Sequence, residues 1–218
     1  MSPSYGLLKH LFQCCGVRMA SHKIRLADRP GDLGWVVQAH GQIYADQFGW
    51  DSTFEALVAT IVGDYGNYHD PSREQGWIAE VDGKRVGCIF CVATDDPTTA
   101  KLRILLVDPA VRGCGIGQAL VGACVEFARR AGYKQMVLWT NDVLVSARRI
   151  YQAYGFRLIE ELPHHSFGHD LVGQTWALQL DRTADGEGNR DSMRRPAVIG
   201  AQDQSRAQRY RPRAEENR

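Results

Sequence analysis

The sequence segment with the clearest chemical potential is a glycine-rich turn between an apolar stretch and an amphipathic one. Residues 102–107 are leucine-rich and β-branched, Pro109 follows them, and a helical pattern begins at Ile116. Three glycines mark the turn, namely Gly113, Gly115 and Gly117. Glycine has no Cβ to hold a ligand away from the main chain, and the first NH groups of a helix lack intrahelical partners. The turn therefore predicts a site for an anionic phosphate at the positive end of a helix dipole.

A turn of this kind fits several ligands as well as a purely structural role. No Lys-Ser or Lys-Thr pair follows Gly117, which disfavours a nucleoside triphosphate. A dinucleotide stays open because Asp142 follows the next predicted strand, where an acid could bind a ribose. The spacing Gly-x-Gly-x-Gly nevertheless differs from that of dinucleotide folds, and an antiparallel-looking region precedes it. An acyl-coenzyme A and a tight turn without any ligand are the other interpretations.

Length and charge limit the classes of protein. The 218 residues are enough for one domain with a proper core. A formal net charge of +1 gives no electrostatic reason to expect nucleic acid or an anionic membrane as a partner. We therefore expect neither of these partners, while a homodimer stays open.

The six cysteines do not have the spacing of a metal site or a disulfide framework. Cys88 and Cys91 lie in an apolar run typical of a strand, where an odd separation sends side chains to opposite faces. Adjacent Cys14 and Cys15 make a poor metal pair, and no Cys/His cluster with zinc spacing accompanies them. We expect buried free thiols, no metal and a cytoplasmic location.

The two ends of the chain differ from its middle. Residues 1–21 are mildly apolar but lack a continuous apolar core or the charge pattern of a secretory signal, so we expect an N-terminal extension. Met19 is an alternative start. Residues 181–218 are rich in Arg, Asp, Glu, Gln, Gly and Ser and are predicted to form a disordered mixed-charge tail.

Residues 22–180 alternate between the periods of strands and helices. Ser52 and Glu55 make a plausible capping box, and Asp82-Gly83 is a strong hairpin signal. Strands are predicted at residues 22–26, 77–81, 85–93, 101–107, 134–140, 156–161 and 174–180, and helices from about residue 35, from Ser52, at 116–131 and at 146–154. The order β-α-α-β-β-β-α-β-α-β-β predicts a single α+β domain.

This order and two motifs resemble the GNAT superfamily of N-acetyltransferases. The family's Gln/Arg-x-x-Gly-x-Gly/Ala motif is met by residues 112–117, Arg-Gly-Cys-Gly-Ile-Gly, and its Ala-x-x-x-Tyr-x-x-x-Gly-Phe motif by residues 147–156. The resemblance covers residues 22–180 and implies a mixed, mostly antiparallel sheet flanked by helices.

A narrower resemblance rests on residues 29–35, 138–144 and 163–168. These runs are similar to the acetyltransferase half of bacterial proteins that fuse a MarR-type winged-helix regulator to such a domain. Only residues 1–21 precede the predicted domain here, so we do not expect DNA binding.

The GNAT resemblance implies acetyl-CoA as the acetyl donor. In the family, the pyrophosphate accepts hydrogen bonds from the glycine turn, and the pantetheine pairs with the preceding strand where that strand parts from its neighbour. The implied cofactor-binding residues are Leu105, Leu106, Val107, Arg112, Gly113, Cys114, Gly115, Ile116, Gly117 and Gln118. Backbone groups make these contacts, so the thiol of Cys114 needs no role.

The resemblance also implies Tyr151 as the residue that protonates the departing thiolate. Packing of Tyr151 against the sheet is the structural alternative, and Tyr154 is a neighbouring tyrosine whose spacing misses the motif. Many family members have an Asn seven residues before the catalytic tyrosine, where this chain has Leu144. Asn141 lies about one turn earlier, where we expect it to cap or end the strand.

The general base is not assigned by the sequence. Many family members carry a Glu on strand four or five, but residues 101–107 and 134–140 contain no acid. His164 and His165, predicted in the loop between the last two strands, are candidates because imidazole titrates near neutrality. Glu160 and Glu161 are candidates if the base acts through water, and an amine of low pKa needs no base.

The sequence therefore predicts an acetyl-CoA-dependent N-acetyltransferase that acts on a primary amine of a small molecule or a protein. Five aromatic residues could face the amine or pack in the core, namely Tyr44, Phe48, Trp50, Tyr65 and Tyr68. The alternative from another class is a catalytically weak acyl-CoA-binding sensor with the same fold. A nicotinamide-dependent enzyme is the third, less favoured interpretation.

Overall fold

A computed structural model describes residues 22–180, and the predictions for residues 1–21 and 181–218, including Cys14 and Cys15, lie outside them. The strands are β1 His22–Leu26, β2 Gln75–Val81, β3 Lys84–Ala93, β4 Thr99–Val107, β5 Gln135–Asn141, β6 Arg157–Ser166 and β7 His169–Gln179, and the helices are α1 Asp32–Phe48, α2 Ser52–Tyr68, α3 Ile116–Arg130 and α4 Val145–Ala153. This order confirms the prediction. A short 3-10 turn, Pro109–Val111, follows β4.

The seven strands form one sheet in the order β1-β2-β3-β4-β5-β7-β6. All neighbours are antiparallel except β4 and β5, which are parallel, so the predicted mixed, mostly antiparallel sheet is confirmed. The parallel ladder is short and joins Thr99–Leu102 to Gln135–Leu138. Beyond these residues β4 stays paired with β3 but no longer with β5.

The two faces of the sheet carry separate cores. On one face α3 and α4 pack on β3, β4, β5 and β7, with Cys91, Leu120 and Cys124 among the buried residues. On the other face α1 and α2 pack on β2 and β3, with Cys88 and Phe90 buried. Cys88 and Cys91 therefore lie on opposite faces, and both are free thiols, as predicted.

The β6–β7 hairpin is fastened to the connection between α1 and α2. Phe167 and Leu171 pack with Trp50, and the partly buried Tyr44, Phe48, Phe54 and Leu144 complete this aromatic cluster. The Asp51 NH donates to the Phe167 carbonyl over 3.2 Å, and His169 Nε2 lies 3.1 Å from the Gly49 carbonyl oxygen. The hairpin tip thus closes against the α1 side of the sheet.

Two local predictions need correction. The cap of α2 is Asp51, whose carboxylate accepts from the Thr53 NH at 2.9 Å, while Ser52 is already helical. Asp51 takes this role because its extended backbone lets the carboxylate reach the first turn. His164 and His165 lie in β6 and not in a loop, because the hairpin turns tightly at Phe167 and Gly168, both with positive φ.

None of the helices within residues 22–180 is long and apolar enough to cross a membrane.

His40 is a buried, uncharged imidazole on α1. Its ring is 1% exposed and stacks on Tyr44 with centroids 5.8 Å apart. Nδ1 donates to the Val36 carbonyl at 2.8 Å, and Nε2 is buried without a partner among the described residues. Burial lowers the pKa of His40 to about 4, because the charged form would lose its hydration.

We expect His40 to make the fold acid-sensitive. The unfolded chain binds a proton near the ordinary histidine pKa, whereas the folded chain does not until about pH 4. Stability is therefore complete above the unfolded pKa and is lost as the pH falls toward the folded one, by up to about 3 kcal/mol. Urea unfolding followed by tryptophan fluorescence across this window measures the loss. His40→Phe keeps a ring in the stack but cannot titrate, and an equally steep pH dependence in that variant would contradict the assignment.

Candidate functional site

A cavity of about 410 Å³ lies where β4 parts from β5. Its size is in the range of small-molecule sites. It is lined by Tyr44 and Phe48 of α1, Leu105, Leu106 and Val107 of β4, Val111, Arg112, Gly113, Gly115, Ile116, Gly117 and Gln118 of the turn and α3, and Val143, Leu144, Val145, Ser146, Ala147, Arg149 and Ile150 before and in α4. Every predicted cofactor-binding residue lines the cavity except Cys114, whose side chain is exposed.

The glycine turn presents main-chain NH groups at one end of this cavity. Asp108 caps the 3-10 turn by accepting from the Ala110 NH at 2.8 Å. Gly113 and Gly115 have φ of 83° and 80°, which a residue with a Cβ adopts only with strain. Gly115 is the N-cap of α3, so the NH groups of the first helical turn have no carbonyl partner within the helix.

Arg112 forms part of the cavity wall. Its Nε donates to the Val107 carbonyl at 3.2 Å, and its Nη2 donates to Gln47 Oε1 at 2.9 Å. The guanidinium therefore fastens the end of β4 to α1.

Arg149 is a second cation at the cavity, and it was not predicted from the sequence. Its signal was the helical spacing of Ser146, Arg149 and Ile150, which places them on one face of α4. The motif at residues 147–156 specifies Tyr151 but not Arg149.

Tyr151 is buried beside the cavity without lining it. It is 4% exposed, and its ring packs on Phe156 with centroids 5.8 Å apart. Ala147 and Ile150, its neighbours on α4, do line the cavity. Burial raises the pKa of Tyr151, and the hydroxyl of Tyr44 adds to the effect. The phenol is therefore held in its protonated form, which suits a proton donor.

Tyr44 and Tyr154 are the other tyrosines near α4 and the cavity. Burial raises the pKa of Tyr44 to about 12, so this cavity-lining phenol is also protonated. The Tyr154 hydroxyl donates to the Gln118 carbonyl at 2.7 Å and ties α4 to α3. Tyr154 therefore has a structural partner and is disfavoured as the alternative donor.

The predicted aromatic residues separate into three environments. Tyr44 and Phe48 line the cavity, and Trp50 holds the hairpin. Tyr65 is in the core, where its hydroxyl oxygen accepts from the Gly76 NH at 2.9 Å, and Tyr68 is 62% exposed.

Strand β6 places the candidate bases on two faces of the sheet. His165 and Glu161 project toward the α4 side, where His165 Nδ1 lies 2.7 Å from Asp170 and Glu161 accepts from Gln174 Nε2 at 2.5 Å. His164 projects to the α1 side, and its ring nitrogens lie 2.9 Å from Asn141 Oδ1 and 2.9 Å from Ser166 Oγ.

Glu160 lies farther along β6 and accepts from the Thr175 hydroxyl at 3.4 Å. Strands β4 and β5 contain no acid, as the sequence indicated.

Asn141 is the last residue of β5, as expected from the sequence. Its side chain does not cap α4, because it is 1% exposed and bonds His164 across the sheet. Asp142 accepts from the Val172 NH at 3.2 Å and joins β5 to β7, and it is not among the residues that line the cavity. Within residues 22–180, no group of three or more His, Cys, Asp or Glu side chains could hold a metal ion.

Comparisons with known proteins agree with this geometry. The pattern of the acetyltransferase (GNAT) family matches residues 37–156, more than half of the chain. The chain is 41% identical to N-acetyltransferase 8B of Homo sapiens over 109 residues, which are 48% of this chain and 44% of that protein. It is 33% identical to N-acetylaspartate synthetase of Homo sapiens over 125 residues, 57% of this chain and 40% of that protein. It therefore spans less than half the length of these two relatives.

The fold is also similar to that of solved structures. The structure of yncA from Salmonella typhimurium with its cofactor acetyl-CoA has a TM-score of 0.60 and 20% identity, covering 78% of this chain and 99% of that chain. At this level of identity the likeness concerns the fold alone.

Proposed function

This chain belongs to the acetyltransferase (GNAT) family, and we propose that it transfers an acetyl group from acetyl-CoA to the primary amine of an acceptor. One observation carries the proposal. The ladder between β4 and β5 ends at Leu102 and Leu138, and the cavity beyond it runs from β4 to the start of α3. An elongated anion can therefore contact an open strand edge and a helix N-terminus at once.

The residues of the cavity fit acetyl-CoA, which supplies an activated acetyl group when bound. The NH groups at Ile116, Gly117 and Gln118 suit the pyrophosphate, and Arg149 adds a positive charge near them. The amides of the pantetheine suit the β4 main chain at Leu105 to Val107, which has no strand partner on the β5 side. Small residues in the turn leave room for this contact.

Tyr151 is the proposed proton donor. Burial keeps its phenol protonated, so the hydroxyl can hydrogen-bond to the departing thiolate as negative charge develops on the sulfur. Its neighbours Ala147 and Ile150 line the cavity, so Tyr151 lies beside the site proposed for the thioester.

The acceptor amine is proposed to approach from the α1 side of the sheet, where Tyr44 and Phe48 line the cavity. One similar protein is named for the product N-acetylaspartate. That name supports a small-molecule amine as acceptor, with a protein amine as the other candidate.

Further features are proposed from the sequence. Residues 22–180 form the catalytic domain between an extension and a mixed-charge tail. The buried free thiols Cys88, Cys91 and Cys124 support a cytoplasmic location. The similarity to regulator-fused domains and a homodimer remain predictions.

Two measurements test the activity. Calorimetry should detect binding of acetyl-CoA and not of NAD, because the cavity offers an open strand edge and no ribose-binding acid. Thiol release should then be seen with at least one of L-aspartate, L-lysine, benzylamine and a peptide with a free N-terminus. Binding of NAD alone would overturn the proposal, and acetyl-CoA binding without thiol release would favour the sensor.

Gly115→Glu tests the pyrophosphate site. A carboxylate at the N-cap of α3 repels the ligand, and a Cβ there strains a φ of 80°, so the Kd of acetyl-CoA should rise about 100-fold. Calorimetry measures the change. Gly132→Glu is the matched control, since Gly132 has the same φ at the other end of α3 with open space around it. Equal weakening in both variants would show strain alone and contradict the assignment.

Tyr151→Phe tests the proton donor. Turnover should fall about 100-fold while the Kd of acetyl-CoA stays unchanged, because only the hydroxyl is removed. Tyr154→Phe is the control, since it loses a hydroxyl on the same helix that bonds Gln118. Turnover of Tyr151→Phe within about twofold of the wild type would remove Tyr151 from this role.

A further inference from the structure

Three polar side chains on the α1 side of the sheet form a continuous hydrogen-bonded chain. Ser166 Oγ lies 2.9 Å from His164 Nδ1, and His164 Nε2 lies 2.9 Å from Asn141 Oδ1. A carboxamide oxygen only accepts, so Nε2 carries the imidazole proton. When the imidazole is neutral, Nδ1 presents its lone pair, and the Ser166 hydroxyl donates to it. In that form the hydrogen-bonded chain runs in one direction, from the serine through the imidazole to the asparagine.

The surroundings of His164 fix its ring in place. Trp139 packs against the ring with centroids 5.4 Å apart. Gly173 of β7 lies beneath the indole, and a Cβ there would come within 2.8 Å of Trp139. Asn141 is 1% exposed, and burying a carboxamide is costly unless it is hydrogen-bonded. These contacts support one tautomer and one orientation of the imidazole.

The hydrogen-bonded chain lies next to the cavity. The Asn141 carbonyl accepts from the Leu144 NH at 3.0 Å, and Leu144 lines the cavity. Leu144 also packs against the cluster of Trp50, Phe167 and Leu171, and Phe167 directly follows Ser166. Ser166 is half-buried and projects from the same face as His164, the face on which Tyr44 lines the cavity. The serine hydroxyl is thus on the side from which the acceptor is proposed to approach.

We propose that Ser166 is a catalytic residue that takes a proton from the acceptor amine and passes its own proton to His164, with His164 and Asn141 as positioning residues. The inference rests on the proposed acetyl transfer. An ammonium proton moves to Ser166 Oγ as the serine proton moves to His164 Nδ1, and the imidazolium is stabilised by Asn141 Oδ1.

The neutral amine then attacks the thioester carbonyl, so that an N–C bond forms and the C–S bond breaks. The departing thiolate takes the Tyr151 proton, and the proton lost from the new amide restores Tyr151. His164 returns its proton to solvent. The ammonium thus loses two protons, one to solvent and one to the thiol, and the reaction balances.

Within residues 22–180, charged groups on several elements lie around the hydrogen-bonded side chains. On the same face lie Glu160 of β6, His169 of β7 and Asp51 before α2, and β4 carries Lys101 and Arg103. Glu160 bonds Thr175, and His169 lies against the Gly49 carbonyl.

The test compares two nucleophiles in Ser166→Ala. The first is the alkylamine that the wild type acetylates fastest among L-aspartate, L-lysine, benzylamine and the peptide with a free N-terminus. The second is hydroxylamine, which is largely neutral near neutral pH. With the alkylamine, kcat/KM should fall about 100-fold. The remaining kcat/KM should rise with pH in proportion to the fraction of the amine that is unprotonated in solution. With hydroxylamine, which needs no base, the loss should be less than about threefold.

Other variants separate catalysis from folding. Ser166→Thr keeps a hydroxyl and should restore most of the activity, while His164→Gln should lose it and Asn141→Ala should shift the acidic limb of the pH profile. His165→Gln is the matched control, because it projects from the opposite face. The Kd of acetyl-CoA should be unchanged throughout.

Three results would contradict the inference. Equal losses for both nucleophiles in Ser166→Ala would indicate a structural role for the serine. Full alkylamine activity in that variant would overturn the relay while leaving the proposed function intact. A wild type that binds acetyl-CoA but acetylates neither nucleophile would overturn both.

Discussion

The separation of β4 from β5 is the constraint on which the rest of the structure depends. The two strands are joined by a parallel ladder that ends at Leu102 and Leu138. Strand β4 stays paired with β3, and an extra residue enters β4 near Ile104, which has a φ of 44°. A bulge of this kind bends a strand, so β4 turns away from β5. Its opened edge has main-chain donors and acceptors that need partners.

Side-chain hydrogen bonds join the elements that border the gap between β4 and β5. Arg112 joins the end of β4 to Gln47 of α1, and Tyr154 joins α4 to the Gln118 carbonyl of α3. Gly117 lets the two helices approach, since a Cβ there would come within 2.7 Å of Ile150. The cavity is therefore bordered by elements that are fastened to one another, and its shape does not depend on a single strand pair.

Local patterns predicted the fold well, and long-range contacts limited the prediction of the site. The element order, the Asp82-Gly83 hairpin and the turn before Ile116 follow from period and turn chemistry within a few residues. The bond from Asn141 to His164 spans 23 positions, and no local signal distinguishes it from a cap. The predicted strand ends at residue 161, whereas β6 extends to Ser166. Most residues of β6 are exposed, so its second half lacks the alternation of apolar and polar residues that predicts a strand. The cap of α2 differed by one residue, since Asp51 and Ser52 are both good caps.

Burial assigns different chemistry to the two faces of the sheet. The Tyr151 side chain projects from α4 into the core on the α3 face of the sheet, where burial stabilises the neutral phenol. His164 lies on the other face, half-buried, with one ring nitrogen against the Asn141 carboxamide oxygen and the other against the Ser166 hydroxyl. On the proposed mechanism, the gap between β4 and β5 lies between these groups. The first proton of the ammonium then leaves through Ser166 on one face, and the second reaches the thiol through Tyr151 on the other. The divergence of two strands that opens the donor site would thus also place the proposed base and the proposed acid on opposite faces of the sheet.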